Sequence, residues 1–446
     1  MAYSSADLQR IATRHGVSLD DVASPALDQR LQMLEQTLAR TDVPFPISPD
    51  KQAEYLAAAR QGKPFGVGTL GDYQVDLGNY GNFQYYDRYT LEDHLSWACL
   101  VNDQQHTKKE FACEEYLKGE SLFEIGGNYI PEFYLLNARI YQQTQWQLAT
   151  VNMIIPAELF FTCHSRRFFP VTTFMRGLEV DYLQEPDIGH DVAGHVATFT
   201  IPAVANVMKN HGTARDLIYA ERDHKISGCQ GNPTLITEIE QEAEQLLNLA
   251  GRIYWFMVEF GLVMQHGQVR CFGAGILSSP GETVYSVNSP ESNRILIDPS
   301  SDADLLRMAN TDYLISEFQK TYFISENFEL LNSMTPERIL RAAKAALHMP
   351  DFTWREVVPG DRIIDLGTIA MTANEKYDRL MHGLPLDACT ERTAIKNLAI
   401  YAAGFDPQYY QQLKAYPPAV PTTAIAWYQQ HATQLKQRMD QLSVTA

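Results

Sequence analysis

A mostly helical chain with small β elements, of the α+β class, is predicted by three features of the sequence. Apolar residues recur at helical spacing through most of its 446 positions, the β-like runs are short, and Pro and Gly cluster between patterned stretches. With 45% hydrophobic and 11% aromatic residues, the chain has enough apolar surface to offset the entropy of ordering it, and it is longer than one ordinary core holds.

The first forty residues read as a pair of helices, with Leu8, Ile11 and Ala12 on one apolar face and Leu31, Met33, Leu34 and Leu38 on the next. Between residues 41 and 82, Pro44, Pro46, Pro49, Pro64 and several Gly, among them Gly66, Gly71 and Gly81, interrupt the pattern. That punctuation predicts a linker or a short irregular β region, so residues 1 to 85 are expected to form an accessory segment. From residue 86 to 333 helical patterns alternate with short loops and carry the densest aromatics and His, as expected of a pocketed catalytic domain. Thr335 as N-cap and Pro336 at the first helical position then open a mainly helical unit over residues 334 to 446. It contains RILRAAKAALHM, the β-like patch VVPGDRIIDLG, TERTAIKNLAIYAAG and a last helix around residues 427 to 439.

Charge and cysteine usage exclude several functions. Lys plus Arg number 36 against 54 Asp plus Glu, a net charge of −18 that repels a phosphate backbone, so nucleic acid is not an expected partner. No run approaches the roughly 18 apolar residues of a membrane span, and the start lacks a basic stretch leading into an apolar one. Six scattered cysteines without a C-x-x-C pair read as reduced thiols, and a cytoplasmic location is expected.

The segment EPDIGHDVAGH places His190 and His195 five positions apart beside Glu185, Asp187 and Asp191. Neutral imidazoles suit iron, zinc or copper, yet on an ideal helix these positions lie about 140° apart around the axis. Both rings reach one ion only if side-chain reach or a local helix irregularity compensates, so on spacing alone two hydrogen-bonded core histidines are the favoured reading. Glu259 interrupts the apolar run IYWFMV and shares a helix face with Trp255 and Leu262. A carboxylate so placed needs a partner, either an arginine such as Arg252 or Arg176 or a metal. Two His and one carboxylate together would make the facial set that leaves positions open on Fe(II).

With these residues in view the chain resembles the pterin-dependent aromatic amino acid hydroxylases, particularly the bacterial phenylalanine 4-hydroxylases. The resemblance rests on FPVTTFMRGLEVDYLQEPDIGHDVAGHV, IYWFMVEFGL, FGAGILSSPGETVYS and DYLISEFQKTYFISENFELL, in that order, and spans roughly residues 86 to 333. It implies a helical hydroxylase-like core in which His190, His195 and Glu259 bind Fe(2+), Tyr254 lies near the iron and Arg176, backed by Asp187, pairs with the substrate carboxylate. Pro186, Trp255 and Phe260 would wall the aromatic pocket, Gly275 and Ser278 would let the substrate backbone approach, and Ile315 would favour an unhydroxylated ring. Phe160 would stack on a tetrahydropterin such as tetrahydrobiopterin, with Ile154, Ile155, Ala157 and Asp191 completing that subsite.

Departures from the family pattern occur too: Met153 stands where Gly is usual, and Gly189 and Ala193 where bacterial members usually carry Phe. Loss of those rings is expected to enlarge the site or to make room for another side chain. The reaction implied is pterin- and O2-dependent hydroxylation of L-phenylalanine to tyrosine, by an enzyme that could form a homo-oligomer through its accessory segments. The alternatives are a hydroxylase of tryptophan or of a modified or carrier-bound aromatic amino acid, a non-catalytic binding homologue, and a zinc hydrolase.

Overall fold

The computed structural model describes residues 3–22, 26–45, 49–61, 77–82, 84–152, 154–178, 185–313, 317–347, 349–408, 415 and 418–444. Its helices are α1 (Ser5–Arg14), α2 (Leu27–Leu38), α3 (Pro49–Arg60), α4 (Leu91–Phe111), α5 (Glu114–Phe123), α6 (Phe133–Thr144), α7 (Ala157–Ser165), α8 (Ile188–His190) and α9 (Pro202–Ser227). After these come α10 (Pro233–Tyr254), α11 (Ala274–Leu277), α12 (Pro280–Asn288), α13 (Asp302–Ala309), α14 (Phe328–Leu331), α15 (Pro336–Ala346), α16 (Ala373–Met381), α17 (Ala388–Ala402) and α18 (Thr422–Val444). The strands are β1 (Gln147–Val151), β2 (Phe168–Thr172), β3 (Leu262–Gln265), β4 (Gln268–Cys271), β5 (Asn293–Ile297), β6 (Thr321–Ser325) and β7 (Arg362–Asp365). The expected helical chain with small sheets is what forms.

The chain divides into two compact units, residues 1–216 with 270–284 and residues 217–269 with 285–446. In the first, Ser4 and Asp7 form a reciprocal capping box that starts α1. Leu8, Ile11 and Ala12 then pack against Leu95, Ala98 and Cys99 of α4. A second box, Thr90 with Asp93, starts α4, which is buried on nearly every side. Strands β1 and β2 pair in parallel, from Gln147 against Phe168 to Val151 against Thr172.

Helix α3 lies where the Pro and Gly punctuation predicted a linker or irregular β region. Pro49 occupies the first helical position, where its missing N–H costs nothing, and the Ala-rich run behind it has high helix propensity. Much of the punctuation itself, residues 62 to 76, lies outside the described residues.

In the second unit α10 starts at an Asn232 cap with Pro233 behind it. Strands β3, β6, β5 and β7 lie side by side in that order, with β6 parallel to β3 and β5, and β7 antiparallel to β5. The Thr335 side chain accepts from the Arg338 N–H and opens α15 as the sequence predicts. Tyr377, Ala394, Leu398 and Ala424 form a small core that binds α16, α17 and α18 together.

Candidate metal centre

His190 ends α8, and the chain then widens into a π turn over Asp191–His195 before tightening to a 3₁₀ turn over Val196–Thr200. This irregularity resolves the spacing problem. In a π turn the bonding partner lies five residues away, so positions five apart come to the same side. The Nε2 atoms of His190 and His195 are 3.3 Å apart.

Proton bookkeeping orients the first ring. Ser278 Oγ lies 3.0 Å from the Gly275 carbonyl oxygen and 2.9 Å from His190 Nδ1, within hydrogen-bond reach of both. In the tautomer whose Nδ1 donates to that hydroxyl, which passes its own hydrogen to Gly275, Nε2 presents a lone pair toward His195. The His195 ring packs on Phe169, with centroids 4.3 Å apart.

Two carboxylates hold the turn from behind. Asp187, 0% exposed, accepts from the His190 N–H at 3.0 Å and from Arg176 through its backbone N–H, Nε and Nη2 at 3.0, 2.8 and 2.7 Å. Burial alone would raise its pKa, but the hydrogen bonds and charge of Arg176 outweigh burial and hold the carboxyl below its ordinary range. Asp191 accepts from the Thr172 N–H at 2.7 Å and the Thr172 hydroxyl at 2.9 Å, tying the turn to β2. Burial pushes its pKa up to about 7 against those bonds. Gly194 is required by close approach: a Cβ there would lie 2.8 Å from the Ala274 carbonyl oxygen.

Glu259, 2% exposed, ends a second π turn, Trp255–Glu259, which continues α10. Arg252 is committed elsewhere, to Asp312 at 3.4 Å and Asp351 at 3.2 Å. His190, His195 and Glu259 each offer one donor atom, and these atoms all lie within 4.8 Å of one another. Two imidazoles and a carboxylate gathered this closely and this deeply fit a divalent ion with open positions, since the ion would neutralise the carboxylate and separate the facing lone pairs.

Trp255 stacks on Phe260 at 6.1 Å and on Tyr313 at 5.4 Å. Tyr254 is buried beside Trp255, edge to face at 6.4 Å. Pro186 is half-buried and its carbonyl accepts from the Thr172 hydroxyl at 3.2 Å. Ser278 caps α11, the short helix that contains Gly275. Ile154, exposed, and Ile155, half-buried, precede α7, whose first residue is Ala157 and whose Phe160 lies 6.2 Å from Phe169. Ile315 and Met153 lie outside the described residues. The space at Gly189 is not open, because a Cβ there would sit 2.2 Å from Leu100 Cδ2 of α4.

Sequence reasoning missed four contributors. Tyr313 is a lone aromatic in a loop, Thr172 closes a strand, and Lys108 with Tyr116 sits in the charged stretch KKEFACEEY, which reads as a solvated face. None carries a local signal, because long-range contacts give each its place.

The model of the biopterin-dependent aromatic amino acid hydroxylase family matches residues 80–229 and 236–339. Phenylalanine-4-hydroxylase of Chromobacterium violaceum is 33% identical over 285 residues, 63% of this chain and 85% of that protein. Its Ralstonia nicotianae counterpart is 34% identical over 282 residues, 63% and 81% of the two chains. Among solved structures, the iron- and phenylalanine-bound enzyme of Chromobacterium violaceum aligns with TM-score 0.52 and 30% identity over 65% of this chain and 96% of that one. The same enzyme with iron(III) and 7,8-dihydrobiopterin gives 0.53 and 31%, over 67% and 100%.

Proposed function

The chain belongs to the biopterin-dependent aromatic amino acid hydroxylases, and from that premise we propose how its residues carry out the hydroxylation of L-phenylalanine to tyrosine. It is an aromatic amino acid monooxygenase that uses iron, a tetrahydropterin and O2. When bound, iron and the reduced pterin supply the activation of O2, with one oxygen atom entering the ring and the other leaving on the pterin.

His190, His195 and Glu259 would hold the ion. The observation that carries this reading is the gathering of their donor atoms within 4.8 Å. Arg176 takes the substrate carboxylate, and Asp187 fixes the Nε and Nη2 edge of its guanidinium and so its direction. Trp255, Phe260 and Pro186 would wall the substrate ring, Tyr254 would lie near the iron, and Gly275 and Ser278 would leave room for the substrate backbone. Phe160 would stack on the pterin, with Ile154, Ile155, Ala157 and Asp191 completing that subsite. Enclosure in apolar walls excludes water and orients the ring.

Residues 86 to 333 are the catalytic region, supported by the extent of the family match. Among the described residues no helix is long and apolar enough to cross a membrane. Six free cysteines support a reducing, cytoplasmic setting, and the accessory segments are the proposed route to any homo-oligomer.

The test is anaerobically Fe(II)-loaded protein offered Phe, Tyr and Trp with tetrahydropterin and then air, with products separated by mass and retention time. Tyrosine formed from Phe is the expected result. Hydroxylation of Trp alone, oxygen-independent hydrolysis with tightly held zinc, or amino acid binding without oxygen consumption would each replace this reading.

A further inference from the structure

The π turn that faces the two histidines toward each other rests on a buried polar cluster that the hydroxylase chemistry does not itself require. Lys108, on α4, is 1% exposed, and its ammonium reaches Glu120 Oε1 at 2.7 Å and the Ala193 carbonyl oxygen at 2.9 Å. Tyr116, on α5 and fully buried, donates to the same Ala193 carbonyl at 2.5 Å and lies 3.1 Å from the Gly194 carbonyl. Both carbonyls belong to the turn where the helix passes from π to 3₁₀ and its regular ladder is broken, where side-chain donors are most useful.

The close approach is built in. A Cβ at Gly119 would lie 2.5 Å from the Ala197 carbonyl oxygen and 2.4 Å from Thr200 Oγ1, so only glycine lets α5 settle against this segment. Tyr116 and Glu120, one helical turn apart and on one face, then reach the Ala193 carbonyl, Tyr116 directly and Glu120 through Lys108. Burial lowers the Lys108 pKa while the charge of Glu120 opposes it, as expected for an ammonium held out of water by its partners.

We propose that Lys108, Tyr116 and Glu120 are positioning residues, a bracket that holds the Ala193 and Gly194 carbonyls and thereby keeps the His190 and His195 side chains aimed at one ion. The inference rests on the metal reading of those histidines. A purely structural ion pair would behave differently. Replacing it with apolar groups of similar size is often neutral for stability or better, and would leave the metal site untouched.

The experiment is Co(II) titration, followed by the absorption bands of the bound ion, on the full chain and on Lys108→Met/Glu120→Leu and Tyr116→Phe, with circular dichroism and thermal melting on each. Both variants are expected to fold and to bind Co(II) about 10- to 100-fold more weakly, with altered bands. Folded variants with the affinity and bands of the parent would overturn the proposal. If the double variant does not fold, Tyr116→Phe, which removes one oxygen atom, decides the matter by itself. A parent chain that takes up no Co(II) would instead overturn the metal reading beneath it.

Discussion

The π turn of residues 191 to 195 sits in polar company, whereas the π turn of residues 255 to 259 sits among rings. In the first, carboxylates, an ammonium and hydroxyls each reach a backbone group or an imidazole nitrogen. In the second, Phe256 packs edge-on against Phe323 at 4.9 Å and Trp255 stacks on Tyr313 and Phe260. The difference follows from what each turn presents. An imidazole serves only if the correct nitrogen bears the proton and the ring points correctly, which directional bonds secure. A carboxylate offers either oxygen, so apolar packing that fixes the backbone is sufficient.

The largest effects should fall on the groups that hold each turn. Asp187→Ala leaves Arg176 buried without its carboxylate and removes the cap on the His190 N–H, at an expected cost of about 3–5 kcal/mol. Phe256→Ala should cost about as much through its cavity. The comparison then breaks or holds on the milder variants: Phe256→Leu should recover more than half of the loss, and Asp187→Leu none of it, by equilibrium urea denaturation. Equal recovery at both positions would mean that the first turn is held by shape as well.

A smaller effect is expected from Ser278→Ala, which frees His190 Nδ1 from the hydroxyl that orients it. Metal affinity should fall about 10- to 100-fold while stability changes by about 1 kcal/mol. Unchanged affinity in a metal titration would remove the serine from the site.

Acid titrations of the polar turn carry a background from His211. Burial pushes its pKa from 6.5 down to about 4, against the pull of its bond to the Val207 carbonyl at 2.8 Å. Because the folded value lies below the unfolded one, its stabilisation is complete above pH 6.5 and is lost as pH falls toward 4. The slope is about 1.4 kcal/mol per pH unit. His211→Leu should flatten stability across that window, measured by urea midpoints at successive pH values, and an unchanged slope would assign the loss to other groups.

Local pattern explains what was legible in the sequence. The apolar face of α1 is the face that packs, and the Thr335 to Pro336 start of α15 is where the helix begins. The parallel pairing of β5 with β6, separated by α13, leaves no such trace, because its register is set by contacts distant in sequence. His190 and His195 stood out as a pair, and Glu259 as a break in an apolar run, but the widening that turns about 140° of separation into a 3.3 Å approach did not. Lys108 shows why. Beside Lys109 it reads as one of two solvated cations, and only Glu120 and the Ala193 carbonyl make its burial tolerable.

The most direct measurement is anaerobic Fe(II) binding to the full chain, to His190→Ala and to Glu259→Ala, counted as ions retained per chain after desalting. One tightly held ion in the parent and none in either folded variant is the expected result. Retention of iron by Glu259→Ala at the parental level, or none in the parent, would contradict a single ion shared by the two turns.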